Sequence, residues 1–178
     1  PVQWSERSER KWFAVEVERK LEEMGLILPP KTTPLANYVP CVRTGNLLFV
    51  SGHGPVQQDG TIVRGKVGDT LTQEEGYEAA RLVCINMLSA IKNAIGDLDK
   101  RHRVVKVLGM VNATDSFKDH PAVINGCSDL LVEAFGERGK HARSAVGMVA
   151  APYCTSAPCP SIHVRAFARP RLAATCIA

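Results

Sequence analysis

The stretch "TLTQEEGYEAARLVCINMLSAIKNAIG", Thr70 to Gly96, decides the fold. Thr72 and Glu75, three residues apart ahead of an apolar run, have the spacing of a capping box, in which each side chain serves the other's backbone N–H. Leu82, Leu88, Ile91 and Ile95 form an apolar stripe at helical period, and Gly96 supplies the stop. This is a helix that buries one side.

The chain beyond this helix must supply the surface that it covers. "RVVKVLGMVNA" is a β-branched run that reads as a strand buried on both faces. "HPAVINGCSDLLVEAFG" is a second helix, with Pro121 at its first turn and Gly136 after its last. "RSAVGMVAA" is again a strand, and "SIHVRAFA" alternates as another. Upstream, "YVPCVRTGNLLFVSG" reads as a hairpin turning at Thr44-Gly45-Asn46, with Pro40 marking its first strand as an edge or a bulge. Asp59-Gly60 in "PVQQDGTIVRGKVG" is a second hairpin signal. "SERSERKWFAVEVERKLEEMG" is an amphipathic N-terminal helix with Trp12, Val15, Leu21 and Met24 on or near one face, and "LILPPKTTP" is a Pro-rich connector.

The order helix, hairpin, helix, strand, helix, strand, strand predicts an α+β sandwich: a mixed sheet with two long helices on one face. The other face, if apolar, needs cover, which a closed oligomer packed sheet to sheet would provide. With 178 residues and no repeat, one domain is expected. The division is residues 1–34 for the N-terminal helix and connector, 35–168 for the main domain and 169–178 for a tail.

Composition narrows the function classes. A net charge of +4, with scattered Lys and Arg, argues against nucleic-acid binding. There is no apolar run long enough for a membrane span and no signal peptide, so an intracellular, cytoplasmic protein is expected. Cys41, Cys84 and Cys127 each sit in an apolar pattern and read as buried free thiols. Cys154, Cys159 and Cys176 are separated by four and then sixteen residues, which matches no usual zinc pair. His53, His120 and His141 stand alone in sequence and read as surface or capping histidines.

One residue stands out. Arg143 enters a strand after a Gly-rich loop, flanked by Ala142 and Ser144. A guanidinium there needs a partner. A bidentate ligand carboxylate fits its planar fork, and so does an acid of a neighbouring subunit.

"ANYVPCVRTGNLLFVSG", "VVKVLGMVNA" and "HPAVINGCSDLLVEAFGERGKHARSAVG" together resemble the RidA/YjgF family, also called the endoribonuclease L-PSP family, from about Leu35 to Ala151. The resemblance implies a chorismate-mutase-like fold assembled as a homotrimer with sites in clefts between subunits. It implies hydrolysis of reactive enamines and 2-imino acids to 2-keto acids and ammonia, without metal or organic cofactor. Arg143 would hold the substrate carboxylate, with Tyr38, Ser51 and Asn125 as further substrate-binding residues. The family's cysteine two residues beyond the arginine is Ala145 here, at a position that mainly lends backbone groups.

The family's acid lies in the last strand, in a pattern close to V-E-V-E-A, and there this sequence departs. Pro152 to Ala178 holds no Asp or Glu, while three of six cysteines and four of eleven prolines fall in it. The two glutamate positions correspond to His163 and Arg165. Three readings are open. His163 replaces the acid; the chain is a carboxylate-binding module of the same fold without chemistry; or the reading frame has shifted near codon 152. The family's older name adds ribonuclease or translation inhibitor, for which the sequence offers neither a His pair nor a basic groove.

Overall fold

The computed structural model describes residues 16–30, 37–100 and 103–148. Helix α1, Glu16–Glu23, buries Val17 and Leu21, one turn apart. Met24 packs half-buried beside them. The expected face thus centres on Val17 and Leu21, while Trp12 and Val15 lie outside the described residues. Strands β1, Cys41–Thr44, and β2, Leu47–Val50, form an antiparallel hairpin in which Thr44 faces Leu47. Gly45, at φ +52°, occupies the left-handed conformation that the two-residue turn demands.

Helix α2, Gln73–Ile95, begins as its sequence dictates. Glu75 N–H donates to Thr72 Oγ1 at 3.1 Å, and Thr72 N–H donates to Glu75 Oε2 at 2.8 Å. It ends on Gly96 at φ +79°, whose N–H reaches Lys92 O. Its buried stripe runs through Ala80, Val83, Cys84, Met87, Leu88 and Ile91. Ile95, in the last turn, is only half-buried, and so is Leu82, which lies about two and a half turns before Ile91 and therefore on the other side of the helix.

Strand β3, Lys106–Asn112, pairs in parallel with β4, Ala142–Met148, in the register Lys106↔Ala142 to Asn112↔Met148. Helix α3, His120–Phe135, connects them and starts on Pro121 without a side-chain cap. A parallel pair needs such a crossover. Helices α2 and α3 pack on each other, α2 over the hairpin and α3 over β3 and β4. Their contact is set by Gly126: a Cβ there would stand 2.0 Å from Tyr77 O. Around it Val83, Leu88, Ile91, Ile124, Leu130 and Leu131 are fully buried. Each contributes on the order of 1.5–3 kcal/mol relative to exposure.

The α+β reading stands, with the two long helices packed on each other and against the strands. Among the described residues, however, the expected mixed sheet is two separate ladders, β1–β2 and β3–β4. Residue Val67 adds a bridge to Ala113 beside the second. The strand expected over "SIHVRAFA" lies outside the described residues. Tyr38, Val39, Val42 and Val146 are exposed, between 40% and 53%. Cys84 and Cys127 are buried free thiols as expected, whereas Cys41, on β1, is only half-buried. Among the described residues no helix is long and apolar enough to cross a membrane.

Candidate functional site

Alternation along β4 puts Arg143, Ala145 and Gly147 on the side that faces α3. Two of these are small because α3 lies close; Arg143, at the strand's start, extends along the helix instead. Its Nη1 donates to Asn125 Oδ1 at 2.7 Å and to Ser128 Oγ at 3.1 Å. Asn125 and Ser128 are three residues apart on α3 and so share one face. Both acceptors are neutral, both bonds use one nitrogen, and no carboxylate is among the described partners of Arg143. The half-buried guanidinium keeps its Nε and Nη2 edge for another acceptor, with the geometry that suits a carboxylate.

Ser128 also meets His141 Nε2 at 3.1 Å, and His141 Nδ1 lies 2.6 Å from Gly139 O. A carbonyl only accepts, so Nδ1 carries the proton and Nε2 accepts from the Ser128 hydroxyl. Burial, followed by the nearby charges of Arg143 and Lys106, holds the His141 pKa below the ordinary imidazole value, against the pull of Gly139 O. The imidazole is therefore neutral near pH 7. His141 is thus not the solitary surface or capping residue expected. Two signals in the sequence pointed to it: His141 and Arg143 are two apart at the start of a strand, and Asn125 and Ser128 are three apart on a helix.

Of the expected site residues, Arg143 and Asn125 are brought into direct contact. Ser51 and Tyr38 lie at the base of the hairpin: Ser51 Oγ donates to Val39 O at 2.6 Å, and Tyr38 is 42% exposed. The described contacts of Arg143 include neither. His53 is half-buried with Nδ1 2.8 Å from Ser51 O, and burial lowers its pKa. His120 stacks edge-on against Phe117, under Gly147. Burial pushes the Cys127 thiol pKa well up, with a contribution from Cys84, which keeps the thiol protonated and unreactive. Among the described residues no group of His, Cys, Asp and Glu could hold a metal ion. His163 and Arg165 lie outside the described residues.

The chain is similar to known proteins. Over 138 residues the chain is 41% identical to Protein TCP17 of Trypanosoma cruzi, covering 77% of this chain and 86% of the relative. Its structure resembles that of Atu1372, a protein of unknown function from Agrobacterium tumefaciens, with a TM-score of 0.78 and 38% identity over 89% of this chain and 96% of the other. It also resembles a "putative endoribonuclease" from Shewanella oneidensis, with a TM-score of 0.79 and 34% identity over 85% and 97%. Residues 18–157 match the family described as "YjgF/chorismate mutase-like, putative endoribonuclease", a match that stops short of His163. The chain belongs to this RidA/YjgF family.

Proposed function

We propose that the protein hydrolyses small 2-imino acids and their enamine tautomers to 2-keto acids and ammonia, with Arg143 holding the substrate carboxylate. The observation that carries this reading is the half-buried guanidinium on two neutral oxygens, Asn125 Oδ1 and Ser128 Oγ, with its other edge available. An imine carbon is already electrophilic, so the site has to orient the substrate and place a water rather than supply a strong nucleophile. Asn125 fixes the arginine, while Tyr38 and Ser51 would close the site from a neighbouring subunit of a homotrimer. The exposed Tyr38, Val39, Val42 and Val146 give such subunits an apolar surface to cover. No metal or organic cofactor is needed for this chemistry.

A second reading is a trimeric module that binds small carboxylates without turning them over. It is favoured by the sequence beyond Glu137, which contains no Asp or Glu to move a proton between water and ammonia. The endoribonuclease reading rests on the relatives' names alone. The test is ammonia and 2-oxobutanoate release from 2-iminobutanoate generated in situ. Acceleration that disappears in Arg143→Ala is the expected result. Binding of 2-oxobutanoate without acceleration selects the module, and salt-sensitive RNA cleavage selects the third reading. The coding DNA distinguishes a natural terminus from a shifted frame, which would hide an acidic V-E-V-E-like strand in another frame.

A further inference from the structure

Ser128 Oγ holds a central place between a cation and a neutral base. It accepts from Arg143 Nη1 at 3.1 Å and donates to His141 Nε2 at 3.1 Å. A hydroxyl has one proton and two lone pairs. With His141 neutral, that proton points at the imidazole and away from whatever Arg143 binds. With His141 protonated, Nε2 becomes a donor, Ser128 Oγ accepts from both neighbours, and its own proton is free. The hydrogen-bond polarity of the chain reverses on gain of one proton, with no heavy atom having to move.

We propose that Ser128 is a second donor to the anion held by Arg143, released for that role when His141 takes up a proton, so that the site binds a carboxylate together with a proton. The proposal rests on the reading of Arg143 as a carboxylate holder, and not on any chemistry done there. The groups around His141 set the sign. β4 presents Arg143 and β3 presents Lys106, both cationic, the preceding loop presents the Gly139 carbonyl, and α3 presents the neutral Ser128 hydroxyl. Burial first, and then both cations, oppose the imidazolium and lower its pKa. An anion on Arg143 cancels part of that opposition, so binding and protonation favour each other, as linkage requires.

The test is calorimetric titration of the full chain with 2-oxobutanoate from pH 8 to pH 5.5, repeated in buffers of different ionisation enthalpy. The wild type is expected to bind several-fold more tightly at the lower pH, towards the roughly tenfold limit set by a rise of about one unit in the imidazole pKa on binding. It should take up a fraction of a proton per ligand. Ser128→Ala should lose several-fold in affinity at pH 5.5 and little at pH 8, and His141→Gln should bind with no such pH dependence. Arg143-dependent binding that is pH-flat and releases or takes up no proton in the wild type overturns the inference and leaves the carboxylate reading intact. A pH dependence that survives His141→Gln overturns it too, assigning the proton elsewhere. No binding at any pH overturns the carboxylate reading and the inference together. The proton count comes from the wild type, so it decides even if a variant does not fold.

Discussion

Two arginines reach helix α3 from different elements, and they end in different company. Arg81, on α2, places Nη2 2.9 Å from Glu133 Oε2, in a row with Tyr77 Oη donating to Asp129 at 3.1 Å. Among the described residues Arg143, on β4, finds only the neutral oxygens of Asn125 and Ser128. Both are partly buried, and both are held by the same helix. The first has its counter-ion within the fold and fastens α2 to α3. The second is positioned with equal care but has no counter-ion among the described residues, which is the condition expected of a group that receives a charged ligand. A charge that the fold leaves unbalanced at a shaped position is a better pointer to function than an arginine count.

The comparison can be broken at its base. Gly126 lets α3 approach α2, and a methyl group would collide with the backbone of Tyr77, so Gly126→Ala should cost ~3 kcal/mol or more. Chemical denaturation reads this loss, and both arginines should be displaced together. Arg143→Ala comes next: it should weaken 2-oxobutanoate binding about a hundredfold, ~2.7 kcal/mol, with the melting temperature nearly unchanged. Equal affinity in that variant would remove Arg143 from the site. Thr72→Ala removes the cap of the helix that carries Arg81 and should cost about 1 kcal/mol in stability, with keto-acid affinity untouched. The smallest effect sharpens the contrast most. Glu133→Gln gives Arg81 a neutral partner like those of Arg143, and should cost only ~0.5 kcal/mol because the pair is solvated. It should create no second keto-acid site, as calorimetry of Arg143→Ala carrying this change would show.

Much of the fold was legible because its signals are local. The Thr72–Glu75 box, Gly96, Pro121 and the turn at Gly45-Asn46 each act within a few residues, and each sits where the sequence places it. The stripe on α2 was legible in period but not in phase. Leu88 and Ile91 share the buried face with Met87, whereas Leu82, about two and a half turns before Ile91, looks the other way into a cleft with Leu26 and Val63. The described residues hold two ladders of the expected mixed sheet, and what joins them was not legible locally, because strand pairing depends on partners far away in sequence.

The site divided along the same line. Sequence alone determined that Arg143 stands at the start of a strand behind a glycine-rich loop, and that it needs a partner. Its neighbours were decided by the tertiary structure. Asn125 is 18 residues away and Ser128 15, across a helix end and a loop, and Glu133 meets Arg81 over 52. Hydrogen bonds span about 3 Å, whereas local propensities fix a chain's course only over a few residues. Which arginine is neutralised, and which histidine joins a serine, is therefore settled only when the helices pack.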